Sequence, residues 1–414
     1  MSGRVVILGG GTGGTLVANR LRRALPPGAA EITVIDRDDR HLYQPGLLFV
    51  PFGLTRVDQI TRPRHRQLHH GITFVEATVD QVDLETNRVL LADGATVPYD
   101  VLVVASGAAL LPEETEGLEA LRRRDRVFTF YDPIGAAALA PALAGFDGGW
   151  LVLNVVDMPI KCPVAPLEFV FLADWYFRRR GIRELVDLVL VTPLDGAFTR
   201  PVASRMLGEL LDRKGVELVT EFSTASVDEP DRRLHGYDGR TVPFDLAVVV
   251  PIHGGQPYVG RSAGLGDALG FVPTDRHTLQ STVRPNVFVI GDASDLPASK
   301  AGSVTHFEGT TLVENVRRFL AGEALASRFD GHANCFIEAG AGKALLIDFN
   351  YETEPLPGHY PLAIGLPLLR ESRRNHLGKL LFQWVYWHVL LSGHEVPGIS
   401  ATMPLAGKWR VPAA

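Results

Sequence analysis

Cys162 and Cys335 are the only cysteines in a chain of 414 residues, and each stands in a distinctive segment: Pro159-Ile160-Lys161-Cys162-Pro163-Val164-Ala165-Pro166 and Asn334-Cys335-Phe336-Ile337-Glu338. In a reducing compartment disulfides are mostly transient and catalytic or redox-sensing, so a lone pair of this kind reads as redox chemistry. The alternative is two inert thiols, because free cysteine is among the most buried side chains. The reactive form is the thiolate, and two neighbours could lower the Cys162 pKa: Lys161, and the N-terminus of a helix expected to begin near Ala165.

A second set of residues points to a cofactor. Gly9-Gly10-Gly11-Thr12-Gly13-Gly14 fits G-x-G-x-x-G at Gly9, Gly11 and Gly14, directly after the apolar run Val5-Val6-Ile7-Leu8. The helical spacing of Thr15 to Arg22 follows, and Glu31-Ile32-Thr33-Val34-Ile35-Asp36 is a second strand that ends on a carboxylate. Asp36 stands about 20 residues beyond the last glycine, the place of the acid that binds the adenine ribose hydroxyls. Glycines let the backbone approach a pyrophosphate, and the helix N-terminus offers it free N–H groups, so Gly9, Gly11, Thr12 and Gly14 are candidate dinucleotide-binding residues.

Two later strands, Tyr99 to Val104 closing on Ser106-Gly107 and Asn286 to Ile290 closing on Gly291-Asp292, resemble the recurrent segments of two-dinucleotide-domain flavoproteins. In that class the aspartate accepts a bond from the flavin ribityl chain, which implies FAD as cofactor. The helix after Ser299-Lys300-Ala301-Gly302 would aim its positive end at the isoalloxazine. His306 within it reads as a packed or capping histidine more readily than as a proton carrier.

Trp150 to Val156, Ala165 to Arg180 and Leu185 to Val191 repeat the strand, helix, strand order, yet the turn Val156-Asp157-Met158-Pro159-Ile160-Lys161-Cys162-Pro163 contains no glycine. Prolines remove N–H donors and Asp157 repels phosphate, so NAD(P)H is not expected to bind there. The fold class expected is α/β, with two Rossmann-like domains and a C-terminal amphipathic helical region. Residues 1–110 and 251–325 make a discontinuous FAD domain, 111–250 the second Rossmann-like domain, and 326–414 a quinone and membrane region.

Composition is ordinary for a globular protein, with 46% hydrophobic and 21% charged residues, and the net charge of −6 argues against a nucleic-acid partner. The opening Met1-Ser2-Gly3-Arg4 leaves no room for a secretory leader before the first strand, so a cytoplasmic protein is expected. No apolar run reaches the length of a membrane span. Between Ser372 and Leu391, however, Leu377, Leu380, Leu381, Trp384, Val385, His388 and Leu391 recur at helical spacing behind Arg370, Arg373, Arg374 and Lys379. With Tyr386 and Trp387 this reads as an interfacial helix on the cytoplasmic face of a membrane; packing on the protein's own core or in a homo-oligomer is the alternative.

Taken in order, His41-Leu42-Tyr43-Gln44-Pro45-Gly46, Lys161-Cys162-Pro163 with Ala165-Pro166 and Glu168, Ser299-Lys300-Ala301-Gly302, and Cys335-Phe336-Ile337-Glu338 resemble the sulfide:quinone oxidoreductases over essentially the whole chain. The resemblance implies that Cys162 and Cys335 are the two redox-active cysteines facing each other at the flavin. Many of that family carry a third cysteine that this chain lacks, and the Tyr43 region offers no thiol for covalent flavin attachment, so FAD is expected to be non-covalent. Sulfide would attack a Cys162–Cys335 bridge, leaving a persulfide on Cys335 and a thiolate on Cys162, with two electrons passing through FAD to quinone. Glu168 is a proton carrier or a helix-start carboxylate, Lys300 and Lys343 are candidate flavin contacts, and Phe349, Tyr351, Phe382 and Trp384 are candidates to flank the quinone. No metal site is expected. A type II NADH:quinone dehydrogenase and a non-enzymatic flavin and cysteine redox sensor are the competing readings.

Overall fold

The computed structural model describes residues 3–123, 125–396 and 398–409; the opening Met1 and Ser2 lie outside them. The chain begins with strand β1 (Gly3–Leu8), helix α1 (Thr12–Ala24), β2 (Ala30–Asp36), β3 (Ile72–Glu76) and β4 (Val101–Val104). It continues through β5 (Val127–Phe128), α2 (Pro133–Ala144), β6 (Gly149–Val155), α3 (Ala165–Arg180), β7 (Val186–Val191), β8 (Val216–Val219) and β9 (Leu246–Val250). β10 (Val287–Val289) and α4 (Gly302–Leu320) come next, then the hairpins β11 (Ala333–Gly340) with β12 (Lys343–Phe349) and β13 (Gly358–Tyr360) with β14 (Leu366–Leu368), and finally α5 (Arg373–Val385).

These strands form two parallel five-stranded sheets, ordered β10-β4-β1-β2-β3 and β5-β9-β6-β7-β8. The first sheet takes four strands from before residue 110 and its edge strand β10 from after residue 280, so it is discontinuous in sequence. Val5, Val6, Ile7 and Leu8 are all buried, as a central strand covered on both faces requires. β1 pairs with β2 on one side and β4 on the other, and β6 likewise with β7 and β9. Each sheet therefore reverses its strand order at one central strand, and the carboxyl end of that strand is where an open α/β sheet binds its ligand. The glycine loop follows β1; the Cys162 turn follows β6.

Local sequence sets the helix ends. Gly181 takes a left-handed φ of 72° after Arg178-Arg179-Arg180 and closes α3. The Ser372 hydroxyl caps α5 by accepting from the Asn375 N–H at 3.0 Å. One apolar core joins both sheets to the β11–β12 hairpin, with Ile7, Leu153 and Ile347 among its members. The continuous helix expected from Ser372 to Leu391 is shorter: α5 stops at Val385, and Tyr386–Leu390 form a π-turn that buries Tyr386, Trp387 and Leu390.

Candidate functional site

Close packing explains two of the three motif glycines, and open space explains the third. A Cβ at Gly9, where φ is +94°, would lie 2.6 Å from the Ala105 carbonyl oxygen, and one at Gly14 would lie 1.8 Å from the Gly9 oxygen. Nothing stands within 4 Å of the corresponding position at Gly11, and α1 behind it has no side-chain cap. The first-turn N–H groups of α1 thus border a cradle with room for a pyrophosphate. Asp36 accepts from the Gly10 N–H at 2.7 Å and forms an ion pair with the buried Arg64, which sequence reading missed. Burial pushes the Arg64 pKa down to about 10.

Thr12 turns its hydroxyl to Tyr386 at 2.8 Å, and the same Tyr386 oxygen meets His41 Nε2 at 2.8 Å. His41 is buried and held down to about pKa 4, so it is neutral. This clamp fastens the glycine loop to the π-turn. Tyr386 was expected at a membrane interface; its hydroxyl instead satisfies buried polar groups beside α1.

The second cofactor element also fits. Gly291, at a φ of +69°, donates its N–H to buried Glu308 at 2.7 Å, and burial raises that carboxyl to about pKa 7. The Asp292 carboxylate receives no hydrogen bond from the described residues, and burial raises its pKa against the pull of Lys300 and Lys161, which leaves it free to meet a ligand hydroxyl. Lys300 was a candidate flavin contact, but its Nζ donates to the Asp292 and Ser294 carbonyls at 3.0 and 2.6 Å and so braces the loop. Ser106 is hydrogen-bonded to Tyr258 at 2.8 Å, and Gly107 adopts a φ of +65° with open space beside it. α4 begins at Gly302 without a side-chain cap and with nothing within 4 Å of that glycine's Cβ position. His306 accepts from Arg20 at 2.9 Å and is depressed to about pKa 3 by burial, a packed histidine rather than a proton carrier.

Cys162 is a non-glycine residue at a φ of +52°, a conformation that costs about 1–3 kcal/mol and is held by its surroundings. Its N–H donates to the Lys300 carbonyl at 2.6 Å, and its own carbonyl accepts from the Ala165 N–H at 2.9 Å and from the Tyr131 hydroxyl at 3.4 Å. Cys335 lies on β11 beside α4, where the Ser303 hydroxyl donates to the Asn334 carbonyl at 2.5 Å. Both thiols are free. Burial first and the Glu168 charge second raise both, Cys335 to about 12 and Cys162 further. Of the two neighbours that could lower the Cys162 pKa, the start of α3 contributes in that direction, but burial outweighs it. Lys161 is itself lowered by burial against the opposing pull of Asp292 and Asp132.

Glu168 is the electrostatic centre of this cluster. It is buried in the first turn of α3, accepts from the Glu338 N–H at 2.6 Å and pairs with Lys379, yet burial still raises its pKa. Lys379, read from sequence as a headgroup cation, points inward. His376, one turn earlier on α5, pairs with buried Glu338 at 2.9 Å. The inner side of α5 thus carries buried polar partners as well as Phe382 and Val385 packed on the core, whereas Leu377, Leu380, Leu381 and Trp384 are exposed. Four large apolar side chains on the solvent side depart from the pattern of a helix that only packs on its own core. No described helix is long and apolar enough to cross a membrane.

The four aromatic quinone candidates do not gather. Phe349 is buried near Arg200, and Tyr351 packs on Phe329 and His277 with its hydroxyl on the Arg276 carbonyl at 3.2 Å. Phe382 is half-buried, and exposed Trp384 stacks on His388 at 5.0 Å; no ring contact joins this pair to the first among the described residues. The Lys379 Nζ instead lies 5.6 Å from the Phe49 ring centroid and 3.5 Å from the Phe336 carbonyl oxygen. Lys343 is exposed at the tip of the β11–β12 hairpin, and the mutual Ala344–Ser372 hydrogen bonds set it near Arg373 at the start of α5.

Comparison with known proteins agrees with this geometry. Residues 3–134 match the family model described as pyridine nucleotide-disulphide oxidoreductase. The mitochondrial sulfide:quinone oxidoreductase of Mus musculus is 25% identical over 94% of this chain and 86% of its own length. That of Schizosaccharomyces pombe is 28% identical over 97% and 92%. The crystal structure of the sulfide:quinone oxidoreductase from Aquifex aeolicus superimposes with a TM-score of 0.79 at 19% identity, covering 95% of this chain and 92% of that one.

Proposed function

The chain belongs to the sulfide:quinone oxidoreductase family of FAD-dependent oxidoreductases, and from that premise we propose that it draws two electrons from sulfide through Cys162 and Cys335 and delivers them to a quinone at a membrane surface. The observation that carries this reading is the direct tie between the cysteine turn and the cofactor loop. Cys162 donates its N–H to the carbonyl of Lys300, and the Lys300 amine holds the carbonyl of Asp292. Bound FAD supplies a two-electron acceptor that quinone can reoxidise.

In this reading hydrosulfide attacks the sulfur of Cys335 in a Cys162–Cys335 disulfide, the S–S bond breaks, and Cys162 leaves as a thiolate. The leaving thiolate is disfavoured by burial and by Glu168 and favoured by Lys379, whose charge lowers the Cys162 pKa. The high resting pKa of both thiols makes the thiolate a species formed by disulfide cleavage rather than by titration at neutral pH. The persulfide sulfur passes to a nucleophilic acceptor, and oxidation of the two thiols restores the disulfide. The outward apolar face of α5 supports contact with the bilayer that holds the quinone. The turn after β6, without glycine and with Asp157, weighs against reduction by NADH.

Cys162→Ser and Cys335→Ser are each expected to abolish sulfide-dependent quinone reduction while FAD content and folding stay intact, because a hydroxyl is neither a sulfur acceptor nor a leaving group here. Steady-state turnover beside flavin absorbance checks this. Near wild-type turnover in both variants would make the cysteine pair structural.

A further inference from the structure

Among the described residues the most exposed large apolar side chain is not on α5 but on the turn between β13 and β14, where Ile364 is 87% exposed and Leu362 56%. That turn, Pro361-Leu362-Ala363-Ile364-Gly365, contains no polar side chain, against the usual chemistry of a solvent turn. It is braced rather than loose. Arg374 in the first turn of α5 donates to the Ile364 carbonyl at 3.5 Å, and the Gly365 N–H donates to the Leu362 carbonyl at 2.7 Å.

The C-terminal segment lies against the same hairpin. The His359 N–H donates to the Gly407 carbonyl at 2.8 Å and the Trp409 N–H to the Pro357 carbonyl at 2.9 Å. A Cβ on Gly407 would sit 2.8 Å from the Ala363 nitrogen, which places the strap directly on the turn. This strap exposes Leu405 and Trp409 beside it. Around the edge, Lys343, Arg370, Arg373 and Arg374 are exposed and form no ion pair with the described residues, although the chain as a whole carries a net charge of −6.

We infer that the tip of this hairpin, with Ile364 at its apex, is a second insertion element that enters an anionic lipid leaflet beside the outer face of α5. The inference rests on the membrane reading above and deepens it. Its occupant is set by chemistry: an apolar knob rimmed by unpaired cations suits acyl chains beneath anionic headgroups, where the cations meet phosphate as the knob leaves water.

The test uses the full-length, FAD-loaded protein and sedimentation with vesicles of phosphatidylcholine containing phosphatidylglycerol. Ile364→Asp is expected to lower the partition coefficient about 10-fold or more, and Leu380→Asp on α5 to do the same independently. Turnover with a water-soluble short-chain quinone, flavin content and melting temperature should remain those of the wild type in Ile364→Asp, because residue 364 touches none of the redox residues. Wild-type protein that ignores vesicles at every lipid composition would sink the membrane reading and this inference together. If Ile364→Asp sediments as well as wild type while Leu380→Asp does not, α5 docks alone and the hairpin inference is wrong. A wild-type dimer that Ile364→Asp splits without loss of vesicle binding would also overturn it, by making the knob a contact between copies.

Discussion

The molecule contains the same switch point twice, and the two have been put to different uses. After β1 the chain turns through Gly9 to Gly14, with open space at Gly11 and an uncapped helix; after β6 it turns through Asp157 to Pro163, with a strained Cys162 and a buried carboxylate one helical turn on. Parallel strand order around β1 and β6 is the same, so the sheets do not explain the difference. The turns do. Glycine yields N–H groups and room for an anion; proline withdraws N–H groups, and the left-handed cysteine ties its backbone N–H to the neighbouring cofactor loop at Lys300. The same strand order thus carries an open glycine loop at one strand end and a glycine-free cysteine turn at the other.

Substitutions in the two turns should therefore fail in different ways, and the largest effect belongs to the first. Gly14→Ala places a Cβ against the Gly9 carbonyl oxygen, so the glycine loop must shift and purified protein should contain much less FAD. Flavin absorbance per chain checks it. Full FAD content would mean that the glycine loop tolerates displacement and that the cradle is not defined by this close approach.

Glu308→Gln sharpens the comparison from the cofactor side. The folded pKa of Glu308 is raised to about 7 by burial, above an unfolded value near 4.3. The folded state consequently holds the extra proton between these values, and stability from this group is present below about pH 4.3 and lost as pH rises through about 7. The amide that replaces the carboxylate would keep an acceptor for the Gly291 N–H without the charge. The variant should be about 1–3 kcal/mol more stable than wild type at pH 8 and unchanged near pH 4, measured by denaturant unfolding. Equal stability at both pH values would show that the carboxylate is solvated.

Glu168→Gln is a smaller change, confined to the thiol unit. Glu168 raises both cysteines, so removing its charge while leaving an amide oxygen for the Glu338 N–H should move the Cys335 titration down from about 12. Thiolate ultraviolet absorbance against pH reads the shift; no movement would remove Glu168 from the thiol environment.

Much of this was legible in the residues. The alternation of apolar runs with helical stretches gives both parallel sheets, and the absence of glycine between Val156 and Pro163 already separates the two turns. The inward partners were not legible. Lys379, His376 and Tyr386 follow α5 at spacings that a basic, aromatic interfacial helix also shows, and only the placement of Glu168 and Glu338 beneath that helix decides which face turns inward. The direction of the thiol pKa shifts was not legible for a related reason: a helix start is visible in sequence, whereas the depth of burial that outweighs it is a property of the packed core. The partners of Lys300 and the exposure of Lys343 were not legible either, because a lysine four carbons long can reach a backbone carbonyl or solvent as readily as a ligand.

The central claim is that the second switch point takes electrons from sulfur and not from a nicotinamide. Anaerobic titration of the FAD-loaded protein, following flavin bleaching by sulfide and separately by NADH, tests it most directly. The account predicts stoichiometric bleaching by sulfide and far slower reduction by NADH, with sulfide bleaching absent in Cys162→Ser. Rapid bleaching by micromolar NADH together with indifference to sulfide would contradict it.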